Sequence, residues 1–421
     1  MKKITTGDSI HVYGNIGRIN YTVRLWIRMD DAVDGDILRH ALDSTSRRYP
    51  YLCVRIMKND TEYYYEDNSE PVCLINTSDR ISLNSEETNY HVWAVCYKDD
   101  FIYLDFYHGI CDGTGMYSVL STLLYYYVSE KYGPVSKDDI LTLDDPIDER
   151  EKIDPLDFLP DVDLSVLQAG ANSQKPAFSI DDEGGVTASE EFIVRDFVIP
   201  EKELLRFTSA NDASPGTFIT LIASRAVDKL DPDRKEDLIG SYIVNYRPML
   251  DAGYSHHNCC ATTYLKFSDK LKNMPVDRQC TCYRGMTFLQ SDSDSMRQKM
   301  TFAAAGFRMG LKPPVLEGKK MAFRRMLDGG RTRFTFTVSY VGQWKHKEIG
   351  EHIREFWTHV PVVSSFVIEV AAVNDNIFLS MGQDFREDTY YKAILKELDD
   401  LGIPYTEKGT IVSDIPEFPE P

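Results

Sequence analysis

The sequence predicts an α+β chain built as two lobes, each a mixed β-sheet covered by helices. Three observations carry that expectation. At 421 residues the chain exceeds what a single hydrophobic core organises, so two units follow from size alone. Each half mixes segments of period two with segments of helical period, which is the pattern of a sheet with helices packed on it. Between the halves, residues 134–190 lose both periods. Asp, Pro and Gly dominate there, in "SKDDILTLDDPIDEREKIDPLDFLPDVD" and "SIDDEGGVTASEE", which reads as a solvated acidic crossover between lobes. The expected units are 1–170 and 171–421.

The first half opens on a strand. In "RINYTVRLWIRM" (18–29) Ile19, Tyr21, Val23, Leu25 and Ile27 share one face, the alternation of a half-buried strand. In "DGDILRHALDSTSRRYP" (34–50) Ile37, Leu38, Ala41, Leu42 and Thr45 recur at helical spacing. Asp34 is placed to cap that helix, and Pro50 lies beyond its end. Short strands follow in "YLCVRIM", "EYYYE", "YHVWAVCY" and "FIYLDFYH", the last two joined by the hairpin residues Lys98, Asp99 and Asp100. The stretch "GMYSVLSTLLYYYVSEKYG" is a helix closed by Gly133, where a residue without Cβ turns most freely.

The second half restarts on the strand "EFIVRDFVI" (191–199) and a helix from Glu201. "SPGTFITLIASRAVDKL" (214–230) is a buried helix, capped by Ser214 with Pro215 in its first turn. "DLIGSYIVNYRPML" and "CATTYLKF" are strand-like, and a polar helical stretch covers 275–300. "RTRFTFTVSYVGQW" alternates strongly. "SSFVIEVAAVNDNIFLSMGQDF" reads as two strands around "NDN", and a helix near 388–401 closes the lobe before an irregular, proline-rich tail.

Composition narrows the function. The formal net charge of −19 argues against nucleic acid, whose phosphates it repels. No window is apolar enough for a spanning helix, and the start "MKKITTGDSIHVYG" has no apolar stretch after its two lysines. A cytoplasmic chain is therefore expected. The eight cysteines are scattered and read as reduced thiols. "HHNCC" (256–260) and "CTC" (280–282) have spacings unlike those of structural zinc pairs. They are read as strand or loop residues, and no metal site is expected.

The chemistry centres on "DFYHGICDGTG", Asp105 to Gly115. A strand delivers His108 to its own end, and Gly113 and Gly115 are expected to let the chain turn sharply into the next helix. Imidazole, with an ordinary pKa near 6.5, is available neutral at pH 7 to accept a proton from an alcohol or amine. Asp112 at a buried bend needs a cationic partner, and its expected role is to lock the loop that positions His108.

His-x-x-x-Asp-Gly resembles the active-site motif of the chloramphenicol acetyltransferase-like, CoA-dependent acyltransferase superfamily. That group includes plant alcohol acyltransferases, peptide-synthetase condensation domains and mycobacterial polyketide-associated acyltransferases. The motif's position after a strand and before a helix matches, as does the length. "VNYRP" (244–248) is similar to the family's Asn-x-Arg segment, and "SYVG" (339–342) to a strand of alcohol acetyltransferase-like members. The layout is matched over nearly the whole chain, but only His108, Asp112 and Gly113 match a sharp motif. Many members carry two consecutive histidines, and here the first is Tyr107. That departure favours a free-standing enzyme over a condensation domain.

The resemblance implies two chloramphenicol acetyltransferase-like lobes with a tunnel between them. His108 would act as general base on an acceptor hydroxyl or amine attacking an acyl thioester, without an acyl-enzyme and with no permanently bound cofactor. Asp112 and Gly113 complete the motif; His108 itself, Tyr107, Ser339 and Tyr340 are candidate substrate or oxyanion contacts. Arg247, with Asn245 beside it, would pair with Asp112. The co-substrate implied is acyl-CoA, or an acyl group on a carrier protein. The run 307–334 holds eight basic residues against two acidic, a local charge of +6. Lys319, Lys320, Arg324 and Arg325 within it are candidates for phosphate binding. A carrier-dependent condensation enzyme and a catalytically degenerate binding protein are the alternative readings.

Overall fold

The computed structural model describes residues 2–15, 21–164, 175–180, 186–362, 365–414 and 416–419. In chain order the strands are β1 (Lys2–Lys3), β2 (Thr22–Met29), β3 (Val54–Lys58), β4 (Tyr63–Asp67), β5 (Leu74–Asn76), β6 (Trp93–Lys98), β7 (Phe101–Tyr107), β8 (Ala188–Pro200), β9 (Leu238–Asn245), β10 (Cys260–Phe267), β11 (Phe336–Gln343), β12 (Ile353–His359), β13 (Phe366–Val373), β14 (Asn376–Phe385) and β15 (Thr406–Ser413). The helices that cover them are α1 (Ser9–Gly14), α2 (Gly35–Arg48), α3 (Gly113–Lys131), α4 (Glu201–Ala210), α5 (Pro215–Leu230), α6 (Val276–Ser291), α7 (Ser293–Gly310), α8 (Leu316–Arg331) and α9 (Thr389–Asp400).

Two main sheets make the two lobes. The first has the order β12-β2-β7-β6-β5, with a small sheet β1-β4-β3 beside it. The second has the order β10-β9-β11-β13-β14-β8-β15. The first sheet thus takes one strand, β12, from beyond residue 171, antiparallel to β2 with Trp357 opposite Trp26. The two indoles stack at 5.5 Å. Alternation alone does not show that both faces of β2 are buried. Arg24, on the polar side of the pattern, is 5% exposed and forks onto Asp105 of β7 with two 2.7 Å bonds.

Local signals act where the sequence places them. The Asp34 carboxylate accepts from the amides of Asp36 and Ile37 at 3.0 and 3.1 Å, capping α2. Ser214 caps α5 in a reciprocal bond with Thr217, and Pro215 fills the first turn. Gly133, at φ +115°, turns the chain out of α3. Asn374 and Asp375, both at positive φ, make the tight turn between β13 and β14, the geometry a two-residue hairpin needs.

Four differences stand out. The polar helical stretch divides into α6 and α7 at Asp292, whose carboxylate accepts from Ser295 N at 3.1 Å and restarts the helix. The basic run, read above for charge alone, contains the helix α8. After α9 the chain adds an exposed edge strand, β15, along β8. Its residues bury little, so no apolar alternation announced it. The tail also returns to the first lobe, where Phe418 stacks on Tyr107 at 4.1 Å. Ile19 and residues 165–174, where the boundary between units was expected, lie outside the described residues.

Candidate active site

His108 follows directly on β7, and between Leu104 and Asp112 it is the one residue not buried. Its amide donates to Tyr21 O at 2.8 Å, continuing the ladder with β2 for one more step. The imidazole stacks on His11 of α1, centroids 4.6 Å apart. Burial, and then the nearby His108, hold the His11 pKa well below the ordinary histidine value. His11 is therefore neutral at pH 7 and leaves no charge against its neighbour.

The ring is oriented by a residue from the other lobe. His108 Nδ1 lies 2.7 Å from Asn258 Oδ1. The Asn258 amide has its orientation fixed by two further bonds, from Nδ2 to Asp8 Oδ1 and to the His108 carbonyl, both 2.8 Å. Those two partners only accept, so Nδ2 must face them and Oδ1 must face the imidazole. An amide oxygen only accepts, so Nδ1 of His108 carries the proton. In the neutral ring this tautomer keeps the lone pair on Nε2, the form a general base requires.

Asp8 is itself held. His257 Nδ1 lies 2.8 Å from Asp8 Oδ2, and its Nε2 lies 3.0 Å from Lys152 O. Burial opposes charge on His257, but the Asp8 carboxylate outweighs it and raises the pKa to about 9. The imidazolium and carboxylate thus form a closed ion pair at neutral pH, anchoring the Asn258 amide.

Asp112 caps α3, and its oxygens are fully used. Arg247 forks onto it at 2.9 and 2.8 Å, while the amides of Gly115 and Cys259 donate at 2.9 and 2.8 Å. Burial pushes the carboxyl up, yet the Arg247 charge and these bonds bring it below its ordinary value. Arg247 also donates to the carbonyls of Ser255 and His257 at 2.8 Å each, and Asn245 Oδ1 accepts from its backbone at 3.0 Å. Asp112 makes none of these bonds with His108. It joins the start of α3 to the second lobe, which fixes the loop that carries the imidazole.

The glycines act differently from the sequence expectation. Neither Gly113 nor Gly115 is at positive φ. A Cβ on Gly115 would meet His256 O at 2.3 Å, so close approach of the second lobe requires glycine there. A Cβ on Gly113 would stand 3.7 Å from Val341, an ordinary contact. Gly113 is therefore not demanded by backbone geometry.

Two proposed contacts are corrected. Tyr107 is 1% exposed, and its hydroxyl donates to His11 O at 3.0 Å, so it supports α1 and does not face a substrate. Tyr340 packs with the core between the second sheet and its helices; strand alternation turns it away from Ser339. Ser339 remains half-exposed on the face toward the first lobe. In the basic run, Lys319 and Lys320 are 8% and 7% exposed and lie 3.8 and 2.9 Å from Glu62 and Glu317. They do not form an open phosphate patch; Arg325 is exposed and Arg324 half-buried.

Sequence reasoning missed Asp8, His11 and Asn258. Asn258 lies in "HHNCC", inspected only for metal spacing, and it is 150 positions from the histidine it orients. No local signal links them. Among the described residues no cluster of three or more His, Cys, Asp and Glu side chains could hold a metal ion.

At the level of sequence the chain matches no protein-family model and no curated protein. Its structure is similar to several solved ones. TRI101 of F. sporotrichioides, complexed with coenzyme A and T-2, superposes with a TM-score of 0.62 at 12% identity, covering 95% of this chain and 98% of that one. Polyketide synthase associated protein 5 from Mycobacterium tuberculosis gives a TM-score of 0.63 at 10% identity, covering 94% and 97%. The epimerization domain from the third module of tyrocidine synthetase B gives 0.56 at 11% identity, covering 95% and 97%. The chain therefore has the two-lobed fold of the CoA-dependent acyltransferases and condensation domains.

Proposed function

We propose that the protein is an acyltransferase that moves an acyl group from an acyl-CoA thioester to an alcohol or amine. The observation that carries this reading is the His108–Asn258–Asp8 chain of bonds, which places a proton on Nδ1 of a partly exposed ring, so that the neutral imidazole has its lone pair on Nε2. Donor and acceptor would meet in a passage between the lobes. Nε2 accepts the proton of the acceptor as its oxygen or nitrogen attacks the thioester carbonyl. The tetrahedral oxyanion then collapses, the carbon–sulfur bond breaks, and the imidazolium returns the proton to the departing thiolate. Each proton gained is given back, so no group outside the two substrates is consumed.

A free-standing enzyme using acyl-CoA is favoured over a carrier-dependent one by Tyr107 in place of the first motif histidine. The coenzyme A in the TRI101 complex supports the same choice. Arg324 and Arg325 are the candidates left for the donor's phosphates. The test is transfer from a pooled set of acyl-CoA donors to pooled alcohols and amines, followed as thiol release and as ester or amide by mass spectrometry. His108→Ala is expected to lower the rate by about a thousandfold. An unchanged rate would end the catalytic reading. Release that depends on an acylated carrier protein and not on free CoA would support the condensation alternative.

A further inference from the structure

Glu369 plays no part in the mechanism above. On β13, Phe366, Ile368, Val370 and Ala372 enter the core of the second lobe, while Ala371 and Val373 pack with first-lobe side chains. Alternation therefore turns Glu369 toward the first lobe, where it is 5% exposed. Ser339 lies beside it on β11 and hydrogen-bonds with it. Ser380 lies opposite it on β14, with a buried hydroxyl that has no partner among the described residues. One strand further along the same rung, Asp196 has His359 at 3.6 Å. No cation stands against Glu369 among the described residues. Burial, opposed only by the Ser339 bond, pushes its carboxyl up to about 8.

An aliphatic side chain in this place would stabilise the sheet, whereas an ionisable one without a counter-charge costs stability. The location gives that cost a purpose. The face opens beside it, because Ser339, Val341 and Cys260 are half-exposed, and Val341 stands next to the start of α3. The three consecutive residues Asn258, Cys259 and Cys260 lead from the one group to the other. The first bonds His108 and the second Asp112, and the third lies in the field of both Asp112 and Glu369.

We propose that Glu369 anchors a positively charged group on the acceptor, so that the site selects alcohols that also carry an ammonium. The proposal rests on the acyl-transfer reading above. An ammonium beside this carboxyl would favour release of its proton to solvent and complete an ion pair with the carboxylate, the Ser380 hydroxyl is free to join it, and a chain of net charge −19 attracts cations.

The experiment compares aminopentanol with hexanol, in which a methyl group replaces the ammonium. It uses the full chain, Glu369→Gln, Glu369→Met and His108→Ala, with ester and amide products separated. Wild type is expected to esterify aminopentanol with a kcat/KM about tenfold above that for hexanol. Glu369→Gln and Glu369→Met are expected to lose that preference while keeping the hexanol rate, whereas His108→Ala loses both. Calorimetric titration of aminopentanol without donor is expected to show binding to wild type and His108→Ala and none to the Glu369 variants. An equal preference in wild type and Glu369→Gln, or ammonium binding unaffected by the substitution, overturns the proposal. Binding that needs Glu369, with no transfer to any acceptor, keeps the ammonium site and removes the acyl-transfer reading instead.

Discussion

At the scale of single residues, the proton position on His108 is decided by acceptors alone. Asn258 has its nitrogen committed to Asp8 and to the His108 carbonyl, so only its oxygen meets Nδ1. Asn258→Ala is expected to lower kcat ten- to a hundredfold with little change in KM, because both tautomers and more ring orientations become accessible. Unchanged kcat in a folded variant contradicts the assignment. His257 makes a second prediction. Its pKa is raised in the folded state to about 9, above the ordinary 6.5, so its ion pair stabilises fully below pH 6.5 and that contribution fades as pH rises through 9. The Tm advantage of wild type over His257→Gln should therefore shrink between pH 6.5 and 9. A constant difference across that range would show that the pair does not titrate as described. Of these groups only His108 and Asp112 were legible in the sequence, since each stands in a local pattern. Asp8 and Asn258 depend on contacts that only the folded chain creates.

At the scale of elements, local rules went far. The caps of α2 and α5, the hairpin turns and the exit at Gly133 are short-range chemistry, and they were read from a few adjacent residues. What escaped was set from outside the element. β2 looks half-buried by its alternation, yet both its faces are buried, and β12 takes its open edge and sets Trp357 beside Trp26. β15 carries no apolar pattern because it lies exposed at the sheet edge, paired along β8. The motif's glycines show the same division. Gly115→Ala is expected to destabilise the protein by about 1–3 kcal/mol, since its Cβ would press on His256 O, a backbone atom that cannot turn aside. Gly113→Ala should leave Tm nearly unchanged. Equal losses in the two variants, measured by thermal unfolding, would contradict this reading of the turn.

For the whole molecule, the two lobes are not two consecutive pieces of chain. The first sheet is completed by β12, and the Asp112–Arg247 fork crosses between lobes at full burial. Residues 1–164 expressed alone should fail to fold, because β2 would present an unpaired edge and bare indole, and Arg24 and Asp105 would lose their cover. A dispersed NMR spectrum from that fragment would show otherwise. Removing one partner of the fork, as in Arg247→Ala, should cost about 3–5 kcal/mol by leaving a carboxylate buried without its cation. The α+β class and two-lobed plan were visible from length and periodicity. The strand exchange was not, since it is a choice of partner and not of pattern.

The stretch from His257 to Cys260 belongs to the second lobe, yet it also grips three residues of the first: Asp8, His108 and Asp112. A molecule whose lobes drift apart would release the ring and free the loop in the same movement. Under the acyl-transfer reading proposed above, reactivity would thereby be interlocked with closure, and a gaping chain would not spend a thioester on stray water.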